Sequence, residues 1–151
     1  MKVVERSCMY LSVTTLSSSG VQQHTNTIPL SHPHTDSISC VAFNTPYITN
    51  DVGGKLQKNL VAVGSYDGSI VLYNADDNAN DDVTANSNTQ QQQQQGIGKL
   101  VQVLEGPSDV EFLTFHPKGG TVLLAGSIAD GTIWMYHTPS NTCLQVFVGH
   151  E

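Results

Sequence analysis

The sequence predicts an all-β fold built from repeated four-stranded units, and three observations carry that expectation. Residues 60–73, LVAVGSYDGSIVLY, return at 122–136 as VLLAGSIADGTIWMY, with one residue added ahead of the Asp-Gly pair. Each copy reads as strand, tight turn, strand: Asp67-Gly68 and Asp130-Gly131 supply the positive φ of a two-residue turn, and β-branched or aromatic residues flank both. Further short apolar segments lie upstream of each hairpin, at 38–43 and 110–115, and downstream, at 100–104 and 143–148. The equivalent ends Gly106-Pro107 and Gly149-His150 stand 43 residues apart. That spacing falls within the roughly 40–45 residues of a four-stranded propeller blade.

Taken in order, residues 1–33 are rich in Ser, Thr and Gln and are read as a poorly ordered segment holding at most one strand, over 9–16. The first blade spans 34–106 and the second 107–148, while 149–151 open a further one. The first unit is longer than the second by about 30 residues, the difference between spacings of 73 and 43. Some ten of these lie within 44–59, a stretch of Asn, Thr, Gly and Lys suited to a loop. The other twenty form an insertion at 76–98, where Asp76, Asp77, Asp81 and Asp82 precede six glutamines at 90–95. So little apolar content cannot offset the entropy of ordering, and the tract is read as disordered and solvated.

A blade cannot cover its own apolar faces, and propellers typically close with four to eight blades. With about two blades in 151 residues, the chain reads as a fragment of a larger propeller; a small free-standing sheet protein is the alternative.

Thirteen acidic against six basic side chains give a net charge of −7, with no cluster of Lys or Arg. Nucleic acid and anionic membrane surfaces require a positive footprint, so direct binding to either is not expected. The longest apolar runs, near 122–125 and 133–136, are about four residues, far from the ~20 of a spanning helix. Glu5 interrupts what a secretory leader would keep basic, and Cys8, Cys40 and Cys143 are odd in number without a C-x-x-C pair. A reducing compartment, the cytoplasm and also the nucleus, is the expectation.

A search for chemistry finds little. Asp67 and Asp130 belong to equivalent turns and form no catalytic pair. His32 and His34 have no third ligand at a recognisable spacing, and no G-x-S-x-G elbow occurs. Gly96-Ile97-Gly98-Lys99 lacks the length and the Ser or Thr of a phosphate loop. His116-Pro117 reads as a turn, and Trp134, alternating with Ile133 and Met135, as packing. Catalysis, a cofactor and a metal are therefore not expected.

His34 before the first strand, Gly-Ser-x-Asp-Gly-Ser/Thr-Ile entering the third, an aromatic closing it, and Gly149-His150 opening the next unit resemble the WD40 repeat family. Within it, 34–40 and above all 116–136 look like consecutive blades of angio-associated migratory cell protein and its fungal ribosome-assembly counterpart. The resemblance implies a buried chain of His, Ser or Thr, Asp and Trp that locks each blade. His34, Ser65, Asp67 and Gly68 fill the first places in one blade, with Tyr73 where the Trp is usual. Ser127, Asp130 and Gly131 remain in the other, with Pro107 for the His, Tyr136 for the Trp, and His150 starting the next. It further implies a non-catalytic scaffold that binds protein partners, foremost as a chaperone of a basic large-subunit ribosomal protein. A signalling or cell-migration scaffold and a substrate-receptor subunit of a ubiquitin ligase are the alternatives.

Overall fold

A computed structural model describes residues 9–16, 23–31, 33–44, 59–76, 97–118 and 121–149, with side chains described from residue 27 onward. The fold is all-β. β1 (Met9–Leu16) and β2 (Gln23–Leu30) form a two-stranded antiparallel sheet. β3 (Ile38–Phe43), β4 (Leu60–Ser65), β5 (Ser69–Asn74) and β6 (Leu100–Glu105) make one four-stranded sheet in chain order. β7 (Phe112–Phe115), β8 (Val122–Ser127), β9 (Thr132–His137) and β10 (Thr142–Phe147) make a second, again in chain order. These are two blades of a propeller, and both Asp-Gly hairpins fall where the repeat places them.

Because side chains alternate along a strand, each sheet has two faces. Ala62, Ile70, Leu72 and Leu104 line the face of the first sheet that meets the second, where Val110, Phe115, Leu123, Ala125 and Tyr136 close over them. The opposite face carries Val61, Val63, Val71 and Tyr73, buried together with Leu30 from the end of β2. β4 and β5 are consequently buried on both sides, which is why they read as continuous apolar runs.

The segment 1–33 holds more structure than the single strand expected. Its two strands pair from Met9 opposite Leu30 to Leu16 opposite Gln23. Leu30 covers the first sheet as Leu104 covers the second, and the chain leaves both strands toward an equivalent turn. β1 and β2 therefore take the places that β5 and β6 hold in a full blade. The sequence hid this because β2, QHTNTIPL, is mostly polar and contains Pro29, which a strand with an open edge tolerates.

The loops 44–59 and 76–98 leave the same end of the first sheet, since they join β3 to β4 and β5 to β6. Residues 45–58 and 77–96 lie outside the described residues. The neck of both loops is a polar clamp, and here Asp76 departs from expectation. It is not part of a solvated tract: its carboxylate accepts the Asn59 N–H at 2.8 Å and the Asn59 side-chain amide. Asn44 adds a bond from the Leu60 N–H at 2.7 Å, and Gly98 N–H donates to the Asn74 carbonyl at 2.8 Å. Strand ends with no neighbour to continue the ladder are thus satisfied locally.

Candidate interaction site

The opposite end of both sheets, where the Asp-Gly turns lie, gathers most of the residues that the repeat singles out. Gly68 and Gly131 sit at φ of 80° and 65°, a region in which a Cβ is costly. Ahead of them, Asp67 accepts the N–H and hydroxyl of Ser69, at 2.9 and 2.5 Å, and the N–H and hydroxyl of Thr35, at 2.5 and 3.2 Å. Asp130 repeats the pattern with Thr132, at 3.0 and 2.6 Å, and with Ser108, at 3.3 Å for both groups. Thr35 and Ser108 lie on the links that enter β3 and β7, so each carboxylate ties a turn to the incoming chain.

Burial alone would raise the Asp67 pKa, but the hydroxyl of Ser69, the Thr35 N–H, the Ser69 N–H and the Thr35 hydroxyl together hold it far below the usual range. The Asp130 carboxyl is lowered as well, first by the Thr132 hydroxyl and then by Ser108. Both are anions at any physiological pH. Sequence reasoning missed Thr35, Ser69, Ser108 and Thr132. Their signal was present: a hydroxyl stands one place after His34 and Pro107, and another two places after each Asp.

The two blades differ in the buried centre. His34 is buried, with Nδ1 2.6 Å from the Ser69 hydroxyl and 3.7 Å from the Asp67 carboxylate. Ser65, fully buried, accepts the Asp67 N–H at 3.2 Å. In the second blade the buried Pro107 replaces the imidazole, and the Ser127 hydroxyl, also buried, has no hydrogen-bond partner among the described residues.

Tyr73 and Tyr136 do something other than fill the place of a Trp within one blade. The Tyr73 hydroxyl donates to the Ser31 carbonyl at 2.9 Å, and the Tyr136 hydroxyl to the Glu105 carbonyl at 2.6 Å. Ser31 follows β2 and Glu105 ends β6, so each phenol ties its own sheet to the strand before it. Burial pushes the Tyr73 pKa up to about 12 and raises that of Tyr136 too, with Cys143 and Glu105 adding to the latter. Trp134 stacks on Tyr136 with ring centres 6.2 Å apart and donates to the Thr132 hydroxyl at 3.0 Å, a packing role. His150 lies outside the described residues.

What this end offers outward is acid and apolar surface. Asp36, Glu105, Asp109 and Glu111 stand on the links and strand ends beside the turns, and Glu111 accepts the Ile128 N–H. Tyr66 and Ile128, at the two turn tips, are 46% and 84% exposed. The described Lys residues, Lys99 and Lys118, both lie at the loop end instead. Among the described residues no three His, Cys, Asp or Glu side chains assemble into a metal set, and no helix is long and apolar enough to cross a membrane.

The family model described as WD domain, G-beta repeat matches residues 22–74 and 98–137, which include β2 and both central hairpins. No curated protein matches the chain. WD40 domains typically act as non-catalytic scaffolds for protein–protein interaction, and by this match the chain belongs to the WD40 repeat family.

Proposed function

We propose that the protein is a non-catalytic WD40 scaffold whose turn end receives a basic protein client, and that the client is a large-subunit ribosomal protein held during ribosome assembly. The carrying observation is charge segregation. Asp36, Glu105, Asp109 and Glu111 lie at the same end of the sheets as the exposed Tyr66 and Ile128, while the described lysines sit at the other end, where the described carboxylate, Asp76, is bonded to Asn59. Acid around apolar anchors suits a Lys- and Arg-rich segment: the charges steer and orient, and the anchors hold. The resemblance of 116–136 to the ribosome-assembly branch of the family supports the identity of the client. A cytoplasmic protein that also enters the nucleus fits this role.

The test is binding of a purified basic large-subunit ribosomal protein to the chain across a salt series, with an Asp109→Lys/Glu111→Lys variant beside it. Affinity should fall steeply with salt, and charge reversal should weaken it about tenfold or more. Indifference to both changes would remove the reading. Recovery of cullin-type partners from cells would favour the ligase alternative, and recovery of signalling proteins the migration scaffold.

A further inference from the structure

We infer that Ser108 is a phosphorylation site for an acid-directed protein kinase, and that its phosphate unties the second Asp-Gly turn from the chain entering β7. The inference goes beyond the reading of the turn end as a client site. A kinase of this class carries Lys and Arg along its peptide groove and selects acceptors by the carboxylates that follow them. Of all the Ser and Thr residues in the sequence, Ser108 and Ser127 alone have a carboxylate three places on, Glu111 and Asp130 respectively. Ser127 is buried and is followed by Ile128, whereas Ser108 is exposed and Asp109 follows it directly.

The geometry presents this serine and leaves both carboxylates reachable. Residues 106–111 join β6 to β7 without strand or helix. Val110, with no exposed surface, pins the link from beneath and donates its N–H to the Ser65 carbonyl at 3.1 Å. Around that pin the contacts are loose. The Ser108 hydroxyl and N–H each reach the Asp130 carboxylate at 3.3 Å, and for the hydroxyl that is longer than an ordinary O–H···O bond. Glu111 accepts the N–H of Ile128, a residue 84% exposed, so water can replace that bond. Thr35, the equivalent of Ser108 in the first blade, is also exposed and is followed by Asp36, but Ile38 stands three places on. The two links therefore differ in the charge that a kinase reads.

The step is a phosphoryl transfer from ATP. Ser108 Oγ attacks the γ-phosphorus, and an O–P bond forms as the bond to the β,γ-bridging oxygen breaks. ADP leaves with that electron pair, and the hydroxyl proton passes to the catalytic aspartate of the kinase. The hydroxyl that donated to Asp130 is thereby replaced by a phosphate of about −1.5 to −2 charge, which can only accept. Beside a carboxylate that charge repels, so the Ser108–Asp130 contacts break, while Asp130 keeps its bonds to Thr132 within the turn. The first turn, in which Asp67 holds Thr35, is untouched.

The 151-residue chain, incubated with magnesium ATP and casein kinase II, a kinase of this class, should take up one phosphate, mapped to Ser108 by mass spectrometry. Ser108→Ala should abolish that uptake, and Glu111→Gln should lower its kcat/KM about tenfold or more. Gln keeps an oxygen for the Ile128 N–H, so amide exchange in β8 and β9 should match the wild type. Should exchange rise in that variant, Asp109→Asn takes its place with the same expected loss. For the untying, phosphorylation should lower the chemical-denaturation midpoint of the chain and leave that of Asp130→Asn nearly unchanged, since the repulsion then lacks one partner. The site is overturned by absence of uptake, by equal uptake in Ser108→Ala, by uptake at Thr35 ahead of Ser108, or by an equal rate in the variant without the carboxylate. The untying is overturned by an unchanged midpoint, or by an equal drop in Asp130→Asn.

Discussion

Among the described residues the central strands of the first blade are covered on both faces and those of the second on one, and the burial of the equivalent residues on those strands follows. Ile70 and Leu72 in the first are sealed by the second sheet, while their counterparts Ile133 and Met135 remain half-buried. His34, Ser65 and Asp67 form a connected polar centre in the first, while Pro107 and an orphaned Ser127 stand in the second. One repeated pattern thus has two energetic values, set by position within the stack for the isoleucines and by His34 against Pro107 for the polar centre.

The sharpest way to break that comparison is at the isoleucines. Ile70→Ala removes a side chain with no exposed surface and leaves a cavity between sheets, so a loss of about 2–5 kcal/mol is expected. Ile133→Ala, at the equivalent register, should cost ~1 kcal/mol, since its face already meets solvent. Denaturant midpoints of the two variants check this, and equal losses would show that the second sheet is covered after all.

The turn carboxylates sharpen it next. Asp67 is held by four bonds and lies beside His34, so Asp67→Asn should cost about 1–3 kcal/mol at neutral pH, and Asp130→Asn less, because Asp130 is exposed. The pH dependence fixes the cause. A carboxylate with a lowered folded pKa contributes stability above its unfolded value of about 3.9, and that contribution is lost as pH falls toward the folded pKa. Wild-type stability should therefore fall toward the Asp67→Asn level below about pH 4. A gap between them that stays the same size from pH 7 down to pH 2 would point to packing instead of charge.

At the other end of the scale the tyrosines act with opposite sign. Tyr73 has its folded pKa raised to about 12, so its neutral phenol stabilises the fold below the unfolded value of about 10. That contribution is lost as pH climbs from about 10 to 12. Tyr73→Phe should cost ~1 kcal/mol at neutral pH through the lost bond to the Ser31 carbonyl, and should flatten the alkaline decline. An unchanged alkaline profile would show that other groups set it.

How much of this was legible follows from what each residue needs. The Asp-Gly hairpins were readable because a tight turn demands those residues locally. The continuous runs in β4 and β5 were readable because both faces are covered. The tyrosine ties were not, because their acceptors are backbone carbonyls 42 and 31 residues away, and a carbonyl carries no sequence signature. β2 was missed because an open-edged strand needs no apolar alternation. Asp76 was misread because its neighbours in sequence are polar, whereas its partner, Asn59, lies across the sheet. The exposure of Phe43 was invisible for a related reason: Phe43, 60% exposed, and Phe115, 7% exposed, look identical until the neighbours of each are known.

The smallest expected effect discriminates most finely between the blades. Ser65 and Ser127 occupy the same register on β4 and β8, and both are buried. Ser65→Ala removes the acceptor of the Asp67 N–H and should cost ~1 kcal/mol. The Ser127 hydroxyl has already lost water without gaining a partner among the described residues, so its removal relieves a desolvation cost. Ser127→Ala should accordingly be neutral or slightly stabilising, by up to ~1 kcal/mol. Chemical denaturation of the two variants gives the sign of each change. If Ser127→Ala destabilised as much as Ser65→Ala, the hydroxyl would have a partner and the second blade would possess a polar centre without its histidine.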